Sequence, residues 1–461
     1  MPGKKSRSAK HVPSRAPPQD REAAGRALRD RVPRSVHGDW RRSRERPDPI
    51  AILEKSNRGR LPELKPIRYG RMVQSPFTFL RGSAAVMAFD VAKAPSTGVI
   101  VQACGDCHLL NFGLFATPER RLVFDINDFD ETHPAPWEWD LKRLVASIVV
   151  ACRDNSLSDA QAREAVLECV RAYRDHVRVC ARMTPMEVWY ERLDVEKMIA
   201  ESPDAEAKKI RKRLAAKARQ RVAEHLFPRI AAMTGGAHRL VDQPPLLVHV
   251  ADADFDDRVR EGVSTYRETL SDERRILLDR YRLVDYALKV VGIGSVGTRC
   301  YIGLLMSEQN APLMLQFKEA GRSVLEPYTA KSAYDNQGQR VVMGQRLMQS
   351  SSDIFLGWVR GRRGYDFYVR QLRDMKMSVP LEGLSPARLN AYTSFCGWTL
   401  ARAHAKSGDA ALLASYLGKS DRLDRAMAKF AVAYADQTER DHAALVKAVR
   451  SGRVEILAED Q

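Results

Sequence analysis

The chain predicts an α+β fold in two lobes, one rich in helices and one built on five antiparallel strands, and three stretches carry that prediction. In the first, Val290-Val291-Gly292-Ile293-Gly294-Ser295-Val296-Gly297 is followed by Arg299 to Met306, a Ser-Glu-Gln-Asn-Ala-Pro turn and Leu313 to Lys318. That order reads as strand, glycine turn, strand, turn, strand. In the second, a helix over Ala333 to Ser350 precedes apolar runs Ile354 to Arg360 and Tyr365 to Leu372, joined by the hairpin turn Gly361-Arg362-Arg363-Gly364. In the third, Leu157 to Tyr286 is mostly helical in character, with breaks at Thr184-Pro185, Ser202-Pro203 and Gly235-Gly236.

The chemistry concentrates in Cys104 to Glu131, which reads CGDCHLLNFGLFATPERRLVFDINDFDE. Asp106, His108 and Asn111 stand at fixed offsets, and an apolar strand then carries Asp125, Asp128 and Asp130. Phosphoryl transfer needs such a set: one carboxylate orients the attacking hydroxyl, while an amide oxygen and a second carboxylate hold Mg²⁺ against the phosphates. The plain alternative is an acidic turn that caps a strand and a helix. In the glycine turn, residues without a Cβ let backbone amides approach phosphate oxygens, and Lys318 closes the third strand of that meander. A glycine-rich hairpin with a solvated lysine is the plain alternative there.

The GDxHxxN pattern followed by an Asp-Phe-Asp strand end resembles the catalytic and metal loops of aminoglycoside phosphotransferases and other kinase-like small-molecule kinases. The resemblance implies Asp106 as base and Asn111 as a metal ligand; His108 is the second candidate catalytic residue, expected to hold the catalytic loop by hydrogen bonding in preference to direct chemistry. The second metal ligand is Asp128 or Asp125; Asp128 is preferred because it opens the Asp-Phe-Asp triplet. Gly292, Gly294, Ser295 and Gly297 would cover the triphosphate of ATP, and Lys318 would contact its oxygens, as in a kinase small lobe. Pro136-Trp137-Glu138-Trp139-Asp140-Leu141 resembles the helix start that buttresses the catalytic loop, which gives Asp140 a structural role. Arg81 would face the phosphates or a carboxylate. One feature departs from the pattern: the helix after the third strand offers no Glu to pair with Lys318, since Glu326 lies upstream and Gln345 inside.

Order along the chain departs as well, because the catalytic run precedes the glycine turn. Leu389 to Lys406, which contains Trp398 and His404, resembles the helix that normally leads into the catalytic loop, with His404 a packed residue. The layout implied is a circularly permuted kinase-like fold, whose ends must lie close together. It divides into a basic, largely disordered leader (1–48), a catalytic and metal-loop segment (49–150) and a helical segment of the large lobe or an insertion (151–282). A small nucleotide-binding lobe (283–376) and C-terminal helices returning to the large lobe (377–461) complete it.

As a whole the chain also resembles an uncharacterised, largely bacterial family catalogued as domain of unknown function 2252. Arg46-Pro-Asp-Pro49, Pro66-Ile-Arg-Tyr-Gly-Arg-Met72, Leu80-Arg-Gly82, Cys104 to Glu131, Gly292 to Gly297, Tyr368-Val-Arg-Gln-Leu-Arg-Asp374 and Tyr434-Ala-Asp-Gln-Thr-Glu-Arg-Asp441 carry that resemblance. The label supplies no reaction.

Composition bounds the remaining classes. With 461 residues and 44% apolar content the chain can bury substantial cores. No apolar run is long enough for a membrane span and no secretory h-region is visible, so a cytoplasmic protein is expected. Seven cysteines at irregular spacing argue against a disulfide framework. Cys104-Gly-Asp-Cys107 matches CxxC without a second ligand pair, and packing is the expected role. The formal charge is +17, and residues 1 to 48 hold 14 Lys or Arg against six Asp or Glu. Met1 to about Asp20 is expected to be disordered. Lys208 to Arg221 has eight positive residues and no acid, with Ile210, Leu214 and Val222 at helical spacing, as in an amphipathic helix with a solvated basic face. Nucleic-acid binding through these basic stretches is not favoured, because no binding module accompanies them.

The expected function is ATP- and Mg²⁺-dependent phosphoryl transfer to the hydroxyl of an unknown small-molecule or protein acceptor. A nucleotide-binding pseudokinase, a nucleotidyltransferase and a basic nucleic-acid-binding or scaffold protein are the alternatives. A metallophosphoesterase would need Gly-Asn-His or Gly-His-x-His clusters, which the chain lacks. Neither the acceptor nor the oligomeric state is written in the sequence.

Overall fold

Nearly continuous apolar runs in Cys300–Ser307 and Pro312–Glu319 form the centre of the largest sheet. In the computed structural model, which describes residues 16–250, 252, 254–372 and 374–457, these strands pair antiparallel with Cys300 opposite Lys318 and Ile302 opposite Gln316. Tyr281–Lys289 flanks them on one side, and Asp366–Gln371 followed by Gly357–Arg360 on the other. These are the five strands expected from the sequence. A sixth, Leu247–Val248, adds to the Tyr281–Lys289 edge from a stretch expected to be helical.

The period of two sorts this sheet into unlike faces. Leu305, Leu313, Leu315 and Val369 pack on one face beneath the helices Phe255–Arg267 and Asp272–Leu278. Ile302, Leu304 and Met314 pack on the other. Toward the far end of the central strands this second face turns polar, where Gln316 pairs with Arg370 and Lys318 with Tyr368 across the ladder. Helix Gln337–Met348 follows the third strand, as expected, and packs against both Asp366–Gln371 and Gly357–Arg360.

The helical part is organised around Trp137–Asp154, in which every residue from Trp137 to Cys152 is buried. Asp159–Cys180, Pro386–Ser407 and Arg422–Arg450 pack beside it, and Asp159–Cys180 also packs against the other two. The stretch 157–286 is only partly helical. Gly235 and Gly236 form the turn of a hairpin between Ala231–Thr234 and Ala237–Leu240 rather than a break between helices. The basic run lies on helix Ala205–Arg219, with Ala215 and Ala218 buried and Lys208, Lys209, Lys212, Arg213 and Lys217 exposed.

Up to residue 15 the expected disorder lies outside the described residues; beyond it the leader is structured. Pro18–Arg31 is a helix against Ala410–Leu417. Arg46 is buried and bonds Asp90 at 2.7 and 2.8 Å and Asp441 at 2.6 and 2.9 Å. This charge network ties the start of the chain to its last helix. All seven cysteines are free and buried. Among the described residues no helix is long and apolar enough to cross a membrane.

Replacing Arg46 by Met leaves two buried carboxylates without their cation. The Arg46→Met variant is expected to lose about 3–5 kcal/mol of stability in urea unfolding. A loss below about 1 kcal/mol would show that this network does not hold the two ends together.

Candidate functional site

The loop from Cys104 to Asn111 is assembled on one stripe of the buried helix Trp137–Asp154. Asp140, Arg143 and Ser147 recur at three- and four-residue spacing and so face one direction. Asp140 accepts the amides of Cys104 at 2.7 Å and Gly105 at 2.9 Å. Arg143 donates through Nε to Asp106 Oδ1 at 2.7 Å, and its Nη2 also reaches that oxygen. Ser147 accepts the Leu109 amide at 3.1 Å. Gly105 has φ +83°, and a Cβ there would lie 2.2 Å from the Glu131 carbonyl oxygen, so the loop admits only glycine.

Within the loop, Asn111 Nδ2 donates to the Asp106 carbonyl at 2.5 Å, which leaves Oδ1 as the amide atom free for a ligand. His108 Nε2 stands 3.8 Å from Asp106 Oδ2. Its Nδ1 is buried without a hydrogen-bond partner among the described residues. Burial, with Arg81 and Arg143 nearby, holds this imidazole well below its ordinary pKa and therefore neutral. Burial pushes the Asp106 carboxyl up, against the pull of Arg143. His404 is a packed residue: Nε2 lies 3.3 Å from Asp140 Oδ2 and Nδ1 lies 2.9 Å from the Tyr173 hydroxyl.

The strand Leu122–Ile126 delivers the next carboxylates. Asp125 accepts from Arg402 at 2.5 Å and from the Ser350 amide at 2.8 Å. It is sealed in a buried ion pair away from the cavity, so of the two metal-ligand alternatives only Asp128 has access to it. Asp130 joins three elements. It accepts from Lys318 Nζ at 2.5 Å, the Ser295 hydroxyl at 2.8 Å and the Tyr368 hydroxyl at 2.7 Å. Asp128 stands 3.9 Å from the same ammonium. The partner that the helix does not supply to Lys318 therefore comes from the acidic loop itself.

Charge pairing governs both groups. Burial works against the Lys318 charge, but Asp128 and Asp130 outweigh it and hold the ammonium above its ordinary pKa. Burial likewise favours neutral Asp130, yet Lys318 and the Tyr368 and Ser295 hydroxyls pull its carboxyl below the usual carboxylate range.

These groups line one cavity of about 440 Å³. Asp106, His108, Asn111 and Asp128 reach it from the acidic run; Gly292, Gly294, Ser295 and Lys318 reach it from the glycine turn and third strand. A Cβ on Gly294 would lie 3.9 Å from Asp106 Oδ2, so the turn sits directly over that carboxylate. Gly297 does not line the cavity. It has φ +86°, and its carbonyl accepts the Leu61 amide at 2.7 Å, which makes it a turn residue.

The turn is held from behind. Arg60 donates to the Gly294 carbonyl at 2.8 Å and to the Val296 carbonyl at 2.5 Å, and Arg71 donates to the Val291 carbonyl. Among the described residues the amides of Gly292, Ile293 and Gly294 carry no hydrogen bond. With its carbonyls engaged and these donors open, the turn suits an anion.

Arg143, Arg60, Arg68 and the bridging role of Asp130 escaped sequence reasoning. The three-residue offset of Arg143 from Asp140 is a signal that was available; nothing local marks Arg60. Asp140 also groups closely with Cys104 and Cys107, but both its oxygens already bond the loop amides.

A family profile described as "Uncharacterized protein conserved in bacteria (DUF2252)" matches residues 60–448. The chain belongs to this bacterial family. The match takes in the acidic run, the glycine turn, Lys318 and the helix Pro386–Ser407, so the whole cavity apart from its edge at Lys55 to Gly59 lies inside the family region. No curated protein and no solved structure matches the chain.

Asp130→Ala removes the bridge between Lys318, Ser295 and Tyr368. Faster amide hydrogen exchange is expected across Gly292 to Gly297, together with a stability loss of about 3 kcal/mol from the buried ammonium left behind. Unchanged exchange in the turn would show that Asp130 does not hold it.

Proposed function

We propose that this protein is an ATP- and Mg²⁺-dependent phosphotransferase of kinase-like, two-lobed fold, with the lobes in circularly permuted order. One observation carries the reading: two motifs far apart in sequence meet in one cavity, where the Lys318 ammonium bonds Asp130 at 2.5 Å and Gly294 overlies Asp106. A caps-and-turns role for the acidic run gives no reason for that convergence.

The permuted order is supported by the C-terminal helix Pro386–Ser407, which touches the catalytic loop. The Tyr392 hydroxyl donates to the Leu109 carbonyl at 2.6 Å, and His404 lies against Asp140. The large lobe would then be closed by residues from both ends of the chain, with the six-stranded sheet as the small lobe.

The donor set fits a hard cation, since Asn111 Oδ1 and the Asp128 carboxylate both present oxygen to the cavity. Asn111 and Asp128 would hold Mg²⁺, which when bound would offset the charge of the phosphates. The open amides of the glycine turn would bind phosphate oxygens, and Lys318 would donate to them. Asp106 has Oδ1 engaged by Arg143 and Oδ2 facing the turn, so Oδ2 would take the proton of the acceptor hydroxyl. The acceptor oxygen forms the new bond to the γ-phosphorus, the bond from that phosphorus to the bridging oxygen breaks, and ADP leaves with the electron pair. His108, held neutral, adds no charge to the loop.

The Arg143 clamp also supports a second reading, a nucleotide-binding pseudokinase. Arg143 pulls the Asp106 carboxyl down against the effect of burial and occupies one of its oxygens, which works against its acting as a base.

Ligand at about 100 times its dissociation constant stabilises a native state by about 2.7 kcal/mol. A metal-dependent rise in the thermal midpoint with ATP is expected in the wild type and absent in Asp128→Ala and Lys318→Ala. No rise in the wild type would remove the nucleotide reading, and a rise retained in both variants would place the nucleotide elsewhere.

A further inference from the structure

The cavity has two walls of unlike charge. One wall comes from the acidic run and the third strand and its continuation; it carries Asp106, Asp128, Asp130, Glu131 and Glu319, with Lys318 paired among them and Arg322 and Arg370 beside them. The other comes from residues 55–85 and contributes Lys55, Arg58, Arg60, Arg68 and Arg81 without a single carboxylate. Among the described residues none of these five cations forms an ion pair.

Their hydrogen bonds go to neutral groups instead. Arg60 holds the glycine-turn carbonyls, while Arg68, only 3% exposed, donates to the Asn57 side chain and to the Gly82 carbonyl at 2.6 Å. The Nε atoms of Arg60, Arg68 and Arg81 are all buried without a partner. Burial lowers the pKa of each of these three guanidinium groups, and for Arg68 the charge of Arg60 lowers it further. Among the described residues no carboxylate bonds these guanidinium groups directly: Asp106 and Asp128 act on Arg81, and Glu131, Asp130 and Glu319 on Arg60, only from across the cavity, which leaves their open donors to a directly bonded anion.

Position assigns that anion to one end of the cavity. The Arg81 backbone carbonyl and Asp106 Oδ2 lie 3.8 and 3.9 Å from the point where a Cβ on Gly294 would sit, and the Arg81 guanidinium is near enough to Asp106 to feel its charge. Lys55 and Arg58 are exposed and line the same cavity. The Mg²⁺ ligands and Lys318 belong to the opposite wall.

We propose that the acceptor is a small molecule carrying a phosphate or carboxylate besides its acceptor hydroxyl, and that Arg81, Arg58 and Lys55 bind that group; this rests on the phosphotransferase reading of the same cavity. The hydroxyl then meets Asp106 while the anionic group docks on the cationic wall. A polyamine-bearing acceptor meets like charge there and is rejected.

The test is calorimetric titration of the full chain with inorganic phosphate, with and without Mg²⁺ and a non-hydrolysable ATP analogue, in the wild type, Arg81→Gln and Arg58→Gln. Phosphate is expected to bind the wild type in both conditions, because the two anions use different walls. Arg81→Gln is expected to weaken phosphate binding about tenfold and Arg58→Gln about threefold, with nucleotide affinity unchanged within about twofold. Arg58 is exposed, so its variant remains informative if Arg81→Gln folds poorly. Malonate titrated in parallel separates carboxylate from phosphate recognition. Loss of the Arg81-dependent phosphate binding when the nucleotide analogue is bound, or equal phosphate affinity in all three proteins with the analogue present, would overturn the proposal. Phosphate binding that depends on Arg81 in a protein that binds no nucleotide would instead sink the phosphotransferase reading, and the acceptor assignment with it.

Discussion

The site depends on a polar stripe inside the hydrophobic core. Helix Trp137–Asp154 is buried along nearly its whole length, yet it presents Asp140, Arg143 and Ser147 to the loop above it. Each meets a specific partner, the Cys104 and Gly105 amides, the Asp106 carboxylate and the Leu109 amide. Buried polar groups of this kind cost stability unless every member is satisfied, so their pairing fixes one loop conformation rather than several. His404 and Tyr173 extend the network from the neighbouring helices behind Asp140. The rest of the core can be read as the packing that keeps this helix dry.

Asp130 performs the matching task on the other side of the cavity. It is the third acid of the strand end, and by bonding Lys318, Ser295 and Tyr368 it fastens the sheet and the glycine turn to the acidic loop. Arg60 and Arg71 hold the same turn from the opposite direction through its carbonyls. The turn is thus positioned by side chains that leave its outer amides open. A phosphate arriving there would meet preset donors and a lysine already charged, which lowers the cost of ordering the site at binding.

Much of this was legible in the sequence because the signals were local. The five strands follow from apolar runs set between turn residues, and the acidic run and the glycine turn, far apart in sequence, each stood out by residue pattern and line one cavity. The hairpin Ala231–Leu240 was not legible, because a Gly-Gly pair reads equally as a break between helices and as a turn between strands. The leader was misjudged because its charge outweighs its few apolar residues; pairing of Arg46 with Asp90 and Asp441 is invisible until the fold brings those positions together. Loop length left Asp125 and Asp128 equivalent, and only the buried Arg402 separates them. The cationic wall was likewise hidden, since Arg60, Arg68 and Arg81 sit on short separate elements and converge only in three dimensions.

The most direct test of the central claim is a crystal structure of the full chain with Mg²⁺ and a non-hydrolysable ATP analogue. The account predicts metal on Asn111 Oδ1 and Asp128, phosphate oxygens on the amides of Gly292 to Gly294 and on Lys318, and the terminal phosphate facing Asp106. A nucleotide bound away from this cavity, or metal held by neither Asn111 nor Asp128, would contradict it.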